Sequence, residues 1–471
     1  MSTALGSAVA PELPPDPRLA DLCAELGDAV RTDEASLEAA RADRSGQVSA
    51  ARPLAVIDAT TIEQVQATMR FATAHRIPVV PRGAGTGLAG AAIGGEGELV
   101  LSTRGMNRIL EVSADDELAV VEPGVLNGDL NAQLADRRLW WAPDPASKAI
   151  STVGGNIATN AGGLLCVKYG VTREAVLGLR VVLADGRLLS MGHRSVKGVT
   201  GYDLTALMVG SEGTLGVVVE ATLRLQPLPR GGVATISAAF PTVELAARAA
   251  SDIMARGVRP AIMELLDASA LEAIGDYLDL DLGGRGAQLL VQTDGSGAEA
   301  EADQAVAIIR SLGGEAEVTS DRAEGERLFD IRRCFHPAME ARGTVLIEDV
   351  AVPRSALPAM FAAIQRIEAT YGISIPTVAH AGDGNLHPNF VFARGGAETI
   401  GGDVPEQIWA AADELFLACL RLGGTLTGEH GIGLLKKRWL RDELGDDGFA
   451  LQKQLKQVFD PLGILNPGKV F

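Results

Sequence analysis

Hydrophobic and polar positions change their rhythm along the chain. A proline-rich start gives way to polar, alanine-rich sequence that predicts a helix over roughly Arg18 to Ala42. From Pro53 to Pro229 short β-runs stand among many glycines, as at Val79-Val80, Leu118 to Val121, Leu179 to Leu183 and Leu215 to Val219. Pro227, Pro229, Gly231 and Gly232 mark a boundary. Beyond it Thr235 to Phe240 predicts a strand, and Val243, Ala246, Ala247, Ala250 and Ile253 recur at helical spacing before the strand Ala261 to Leu266. The order returns as the strand Gln288 to Thr293, the helix Ala298 to Leu312 and the strand Glu315 to Thr319. Two βαβ-like halves in series predict a ferredoxin-like sheet with helices on one face. A last helix is expected over Glu406 to Leu422, stopped by Gly423-Gly424. Three parts follow: a helical segment 1–50, a glycine-rich domain 51–229 and a second domain 230–471.

Composition narrows the function. The 55 glycines among 471 residues exceed the roughly 33 of average usage, as expected where backbone packs against a ligand. A net charge of −18 excludes nucleic acid, whose phosphates need a basic face. The N-terminal residues lack a basic start followed by an apolar run, so no secretory signal is expected. No apolar stretch reaches the ~20 residues of a membrane span. The four cysteines are scattered, with no CxxC pair or CxxCH, which leaves free thiols in a reducing cytoplasm and no cluster or haem site.

Residues 81–90, PRGAGTGLAG, formally contain GxGxxG at Gly85, Gly87 and Gly90. A dinucleotide fingerprint must open a helix whose N-terminus meets the pyrophosphate, but Gly94, Gly95 and Gly97 would break it. The bare amides of such a loop form instead a nest for a diphosphate. Two further glycine segments, STVGGNIATNAGG at 151–163 and GSEGTLG at 210–216, add donors for one large polar ligand. In this order, with PDPASKAI before the second, the segments resemble the FAD-binding domain of vanillyl-alcohol-oxidase-type flavoproteins. The resemblance implies pyrophosphate contacts from Pro81, Arg82, Gly83, Ala84, Gly85, Thr86, Gly87, Leu88 and Gly90. It implies flavin and ribityl contacts from Pro143, Asp144, Ser151, Thr152, Gly154, Gly155, Asn156, Ala158, Asn160, Ala161, Gly162, Gly163, Glu212 and Gly213. The first loop holds no histidine or cysteine, so FAD is expected to be held non-covalently.

Residues 380–387 read HAGDGNLH and residues 428–433 read GEHGIG. Turn chemistry between the two histidines can fold His380 and His387 toward one point, and Glu429 completes a two-His-one-carboxylate set for a divalent metal, zinc or manganese. Each histidine alone reads as an ordinary loop residue; the three together, flanked by glycine, favour a site. With FDPLGILNPGK near the end, these motifs resemble the C-terminal domain of the D-lactate, D-2-hydroxyglutarate and glycolate dehydrogenase family. The resemblance implies His430 as the proton-abstracting base and Arg332, with Arg333 as its neighbour in register, as the clamp for a substrate carboxylate. Asn466 would return to the flavin, although Asn-Pro-Gly also reads as a capping turn.

The implied whole is an α+β chain: a two-part FAD-binding domain of the vanillyl-alcohol-oxidase type plus a ferredoxin-like α+β substrate, or cap, domain. Ile347 stands where the 2-hydroxyglutarate enzymes carry a lysine, which favours a small monocarboxylic 2-hydroxy acid such as glycolate or D-lactate and points to the glycolate oxidase catalytic-subunit branch. An external electron acceptor, a quinone or an electron-transfer protein, is implied, with a cytoplasmic chain, peripheral to the inner membrane or a homodimer at most. The rivals are an alkylglycerone-phosphate-synthase-like transferase on the same scaffold, a dicarboxylate dehydrogenase and a degenerate, non-enzymatic subunit.

Overall fold

A computed structural model describes residues 16–282, 284–392 and 404–471. Three sheets carry the fold. The first has the order Val30–Arg31, Ala55–Asp58, Leu99–Ser102, Val79–Arg82. Its three longer strands run parallel, and a parallel pair needs a crossover. The helix Ile62–His75 supplies it, capped by the Thr61 side chain on the Gln64 amide and ended by Arg76 at a left-handed φ of 52°. Leu465 bridges Val79 in parallel and extends this sheet with a segment from the far end of the sequence.

The second sheet is antiparallel, in the order Ile109–Ser113, Leu118–Val121, Val217–Arg224, Val176–Val182, Leu188–Gly192. Its buried side chains gather around Trp141 with Val153 and Ile157 of the short helix Val153–Thr159. The two sheets hold the glycine segments at their margins. No helix lies between Arg82 and Leu99, so the first glycine loop is open backbone, as expected.

The third sheet begins as expected. The strands Gly232–Phe240, Ile262–Asp267, Ala287–Gly295 and Glu315–Thr319 pair antiparallel, and numbered in chain order they lie 4-1-3-2. The sheet then continues through Thr377–His380, Asn385–Phe392 and Thr344–Ile347, with Val350–Ala351 beside them. Helices cover both faces rather than one. Met263 and Leu265 enter one core with the helices Val243–Ala255 and Ala298–Ser311. Ile262 and Leu266, on the alternate face, pack with Phe329, Phe335 and Met339 of the helices Arg322–Arg333 and Phe335–Arg342.

Two helical expectations change. The helix expected over Arg18 to Ala42 is two, Ala20–Leu26 and Glu34–Ala39, separated where Gly27 adopts φ 54° and where Asp33 caps the second helix through the Ser36 amide. The proline-rich start before residue 16 lies outside the described residues. The helix Glu406–Arg421 ends at Gly423 as expected but is not the last. Leu440–Phe459 follows, kinked at Gly445, and its only buried side chain is Leu440. Its Leu444, Phe449 and Phe459 pack against the cores but stay partly exposed. Among the described residues no helix is long and apolar enough to cross a membrane, and all four cysteines are free.

Candidate active site

HAGDGNLH is the tip of a β-hairpin. His380 closes one strand, the turn follows, and His387 lies in the next strand. His380 pairs across the ladder with Asn385, and Val378 with His387. Partners across a strand pair share a face, as do positions i and i+2. His380 and His387 therefore project from the same face, their rings 5.0 Å apart. Gly384 makes the turn at φ +93°, where a side chain would meet the Val352 carbonyl at 2.1 Å.

Glu429 comes from the second motif. Its Oε1 is 3.4 Å from His380 Nε2, and one ligand atom each from His380, His387 and Glu429 all fall within 4.8 Å of one another. Electrostatics favour a cation here. Burial opposes protonation of His380, yet Glu264 and Glu429 together hold it well above the ordinary imidazole range. Burial and the neighbouring His380 push His387 down to about 3, leaving one ring nitrogen with a free lone pair. The donor set thus fits a divalent metal.

Asp349 lies beneath these groups, fully buried. Its Oδ2 accepts Thr427 Oγ1 at 2.5 Å and the backbone amides of Glu429 and His430 at 3.0 and 2.9 Å. Its Oδ1 accepts Asn385 Nδ2 at 2.6 Å. Burial opposes its ionisation, but Lys436, His430 and His387 hold it well below the usual carboxylate range. The buried Lys436 donates to the Asp349 and Leu426 carbonyls at 2.7 and 3.0 Å. One carboxylate thereby fixes the backbone that aims both Glu429 and His430. The His430 ring stacks on His387 at 5.3 Å and its Nδ1 is buried without a partner; burial lowers its pKa, so the imidazole is neutral.

Arg332 and Arg333 diverge. Arg333 pairs with Glu326 and Asp330 of its own helix. Arg332 turns inward, donating through Nε to Glu264 Oε2 at 2.9 Å, with its Nη2 2.8 Å from the same oxygen in the ion pair. The other oxygen of Glu264 lies 2.6 Å from His380 Nδ1.

His380, His387, Glu429, His430, Arg332 and Arg333 all face a cavity of about 960 Å³. Its opposite wall is the glycine-rich half: Pro81 to Leu88, Asp144, Thr152, Gly154 to Asn156, Ala158, Ala161 to Gly163, Glu212 and Gly213. Gly90, Pro143, Ser151, Asn160 and Asn466 do not line it. The Pro143 carbonyl accepts Asn127, Asn160 ends a helix at φ 50°, and Asn466 braces the carbonyls of Ala91 and Glu212. Glu212 spends both oxygens on the amides of Ile432 and Gly433, at 2.8 and 2.9 Å, so it clasps GEHGIG to the first domain. Burial pushes its carboxyl up to about 7. Gly162 lies against the second motif: a Cβ there would sit 2.7 Å from Glu429 Oε1, so the carboxylate would have to shift. Asn156 Nδ2 on this wall is a buried donor without a partner, as a large polar ligand would leave it. Sequence reasoning missed Asp43, which also lines the cavity, together with Asp349 and Glu264. Glu264 and Asp349 are charges inside apolar strand sequence, and that was the available signal.

An open glycine trough facing a histidine–carboxylate corner, on this pairing of sheets, defines a flavin-dependent enzyme class. Comparison with known proteins makes it specific. The family described as FAD binding domain matches residues 53–192, and FAD linked oxidases, C-terminal domain, matches residues 232–470. The chain belongs to the FAD-linked oxidase family. A glycolate oxidase subunit of Bacillus subtilis is 41% identical, covering 89% of each chain. A D-lactate dehydrogenase of Archaeoglobus fulgidus is 36% identical, covering 89% of this chain and 92% of its own. Among solved structures, p-cresol methylhydroxylase superposes with a TM-score of 0.77 at 18% identity, covering 96% of each chain. An alkyldihydroxyacetonephosphate synthase gives 0.73 at 20%, covering 98% of this chain and 87% of its own. At those identities the solved structures speak to the fold alone.

Proposed function

We propose that this chain oxidises a small 2-hydroxy monocarboxylic acid to the 2-oxo acid, using non-covalently held FAD and a divalent metal, zinc or manganese. The observation that carries the reading is the convergence of His380, His387 and Glu429 on one wall of the glycine-lined cavity, with His430 and Arg332 beside them. Arg332 binds and orients the substrate carboxylate. The neutral imidazole of His430 takes the hydroxyl proton, the role of a general base. Bound FAD supplies the two-electron oxidant that accepts the hydride of the carbinol carbon. A divalent ion held by His380, His387 and Glu429 supplies Lewis acidity that lowers the hydroxyl pKa.

Ile347 and Val378 line the same cavity. Their apolar surfaces suit a short side chain and disfavour a second carboxylate, whose burial would need a partner. The scattered free cysteines offer no internal electron relay, so reduced flavin passes its electrons to an external quinone or electron-transfer protein.

The test is anaerobic. Glycolate or D-lactate should bleach the flavin of metal-loaded protein stoichiometrically, chelation should stop the bleaching, and added Zn²⁺ or Mn²⁺ should restore it. A transferase on this scaffold would not be bleached, and absence of bleaching by either acid overturns the reading.

A further inference from the structure

We infer that Glu264 is a positioning residue that ties recognition of the substrate carboxylate to the metal ligand His380. The inference rests on the reading above. Glu264 sits in the strand Ile262–Asp267 on the face of Ile262 and Leu266, whose other positions are apolar core. It pairs across the ladder with His380, so the two side chains lie side by side. It is wholly buried. Burying a carboxylate costs several kcal/mol unless donors surround it. Two do: His380 at Oε1 and Arg332 Nε at Oε2, with the Arg332 charge completed by Nη2 2.8 Å from Oε2 in the ion pair.

A core strand has no need of this charge, since an apolar side chain of similar volume is often neutral or stabilising in place of a buried ion pair. The arrangement has instead a directional consequence at each end. A carboxylate on Nδ1 fixes the proton there and leaves Nε2 of His380 toward Glu429, 3.4 Å away, as an electron-pair donor. On Arg332 the carboxylate takes the Nε edge of the guanidinium and leaves the far edge for a second carboxylate. A single side chain thus sets the aim of two groups that act on different parts of one substrate. Glu264 touches neither substrate nor metal; its action passes through Arg332 and His380.

The experiment compares wild type, E264Q and R332K as flavin-loaded proteins. Affinity for Zn²⁺ or Mn²⁺ alone is read by competition with a coloured chelator, without substrate, and KM and kcat for D-lactate are read separately. In E264Q metal affinity should fall about 10–100-fold and KM should rise by about tenfold or more, with flavin content and melting temperature kept. R332K should raise KM and leave metal affinity within about twofold. Wild-type metal affinity in a folded, flavin-loaded E264Q overturns the inference and leaves the reading intact. If the wild type itself takes up neither ion, the reading fails and the inference with it. Should E264Q not fold, E264D keeps the charge but is one methylene short of spanning both partners. The same paired loss is expected there, and a loss confined to one partner overturns the coupling.

Discussion

The two walls of the cavity are built on opposite plans. The glycine-rich wall is largely backbone: Gly83, Gly85, Gly87 and the stretch Gly154 to Gly163 supply open amides and room for close approach, and the charged Asp43, Arg82, Asp144 and Glu212 stand among them. The opposite wall is made of side chains. Three histidines, Glu429 and Arg332 converge there, and buried carboxylates hold four of them, Asp349 through the Glu429 and His430 amides and Glu264 through Arg332 and His380. A backbone wall resists change at glycines and tolerates it at side chains. A side-chain wall behaves the other way, because removing one partner leaves another charge buried and unpaired.

His387→Ala tests this contrast with the largest expected effect. Losing a ligand should cost more than the roughly 100-fold upper range for outer partners of metal sites. Stopped-flow flavin reduction would record it, and the resting flavin spectrum should stay as in wild type. Loss of the flavin would break the separation of the two walls.

Arg332→Ala comes next. Truncating one member of a buried ion pair costs about 3–5 kcal/mol, or roughly 10²–10⁴-fold in kcat/KM, and the loss should fall mainly on KM. Gly162→Ala sharpens the contrast from the other side, since its Cβ would press on Glu429. Overpacking of about 1–3 kcal/mol should slow turnover by roughly tenfold while FAD, assayed in the supernatant after acid precipitation, remains stoichiometric. Unchanged turnover in that variant would falsify the claim that a side chain there shifts Glu429. Smallest of all, Arg333→Ala should change stability by less than about 0.5 kcal/mol by urea unfolding, with KM within about twofold. A larger shift in KM would move the clamp one residue along.

This contrast also separates what the sequence disclosed from what it hid. Glycines clustered among Thr and Asn, and histidines bracketed by Gly-Asp-Gly, are local patterns, since special backbone demands special residues in adjacent positions. The four ferredoxin-like strands and the two helices between them were legible from period, whereas their spatial order 4-1-3-2 was not. Glu264 escaped notice because its partners lie 68 and 116 residues away. Asp349 reaches 80 and 81 residues to the amides it holds. Such pairings are legible only after the strands are in register. The site strands Thr377–His380 and Asn385–Phe392 were equally hidden. The kinked helix Leu440–Phe459 was missed because most of its side chains face water.

The bridge between Val79 and Leu465 bears on how the protein is made. The first sheet is built from Val30 to Ser102, and Val79 donates its amide to Ile464 while accepting that of Asn466. Asn466 then reaches Ala91, 375 residues back, at the edge of the glycine loop. Domains generally fold on the ribosome in the order they emerge. Here the glycine-rich half must wait, with one sheet edge unpaired, until residues 464–466 have been synthesised. An exposed edge is a template for pairing with other chains. Slow elongation through the second domain would therefore prolong the aggregation-prone interval, and premature termination before residue 464 would leave the edge open for good.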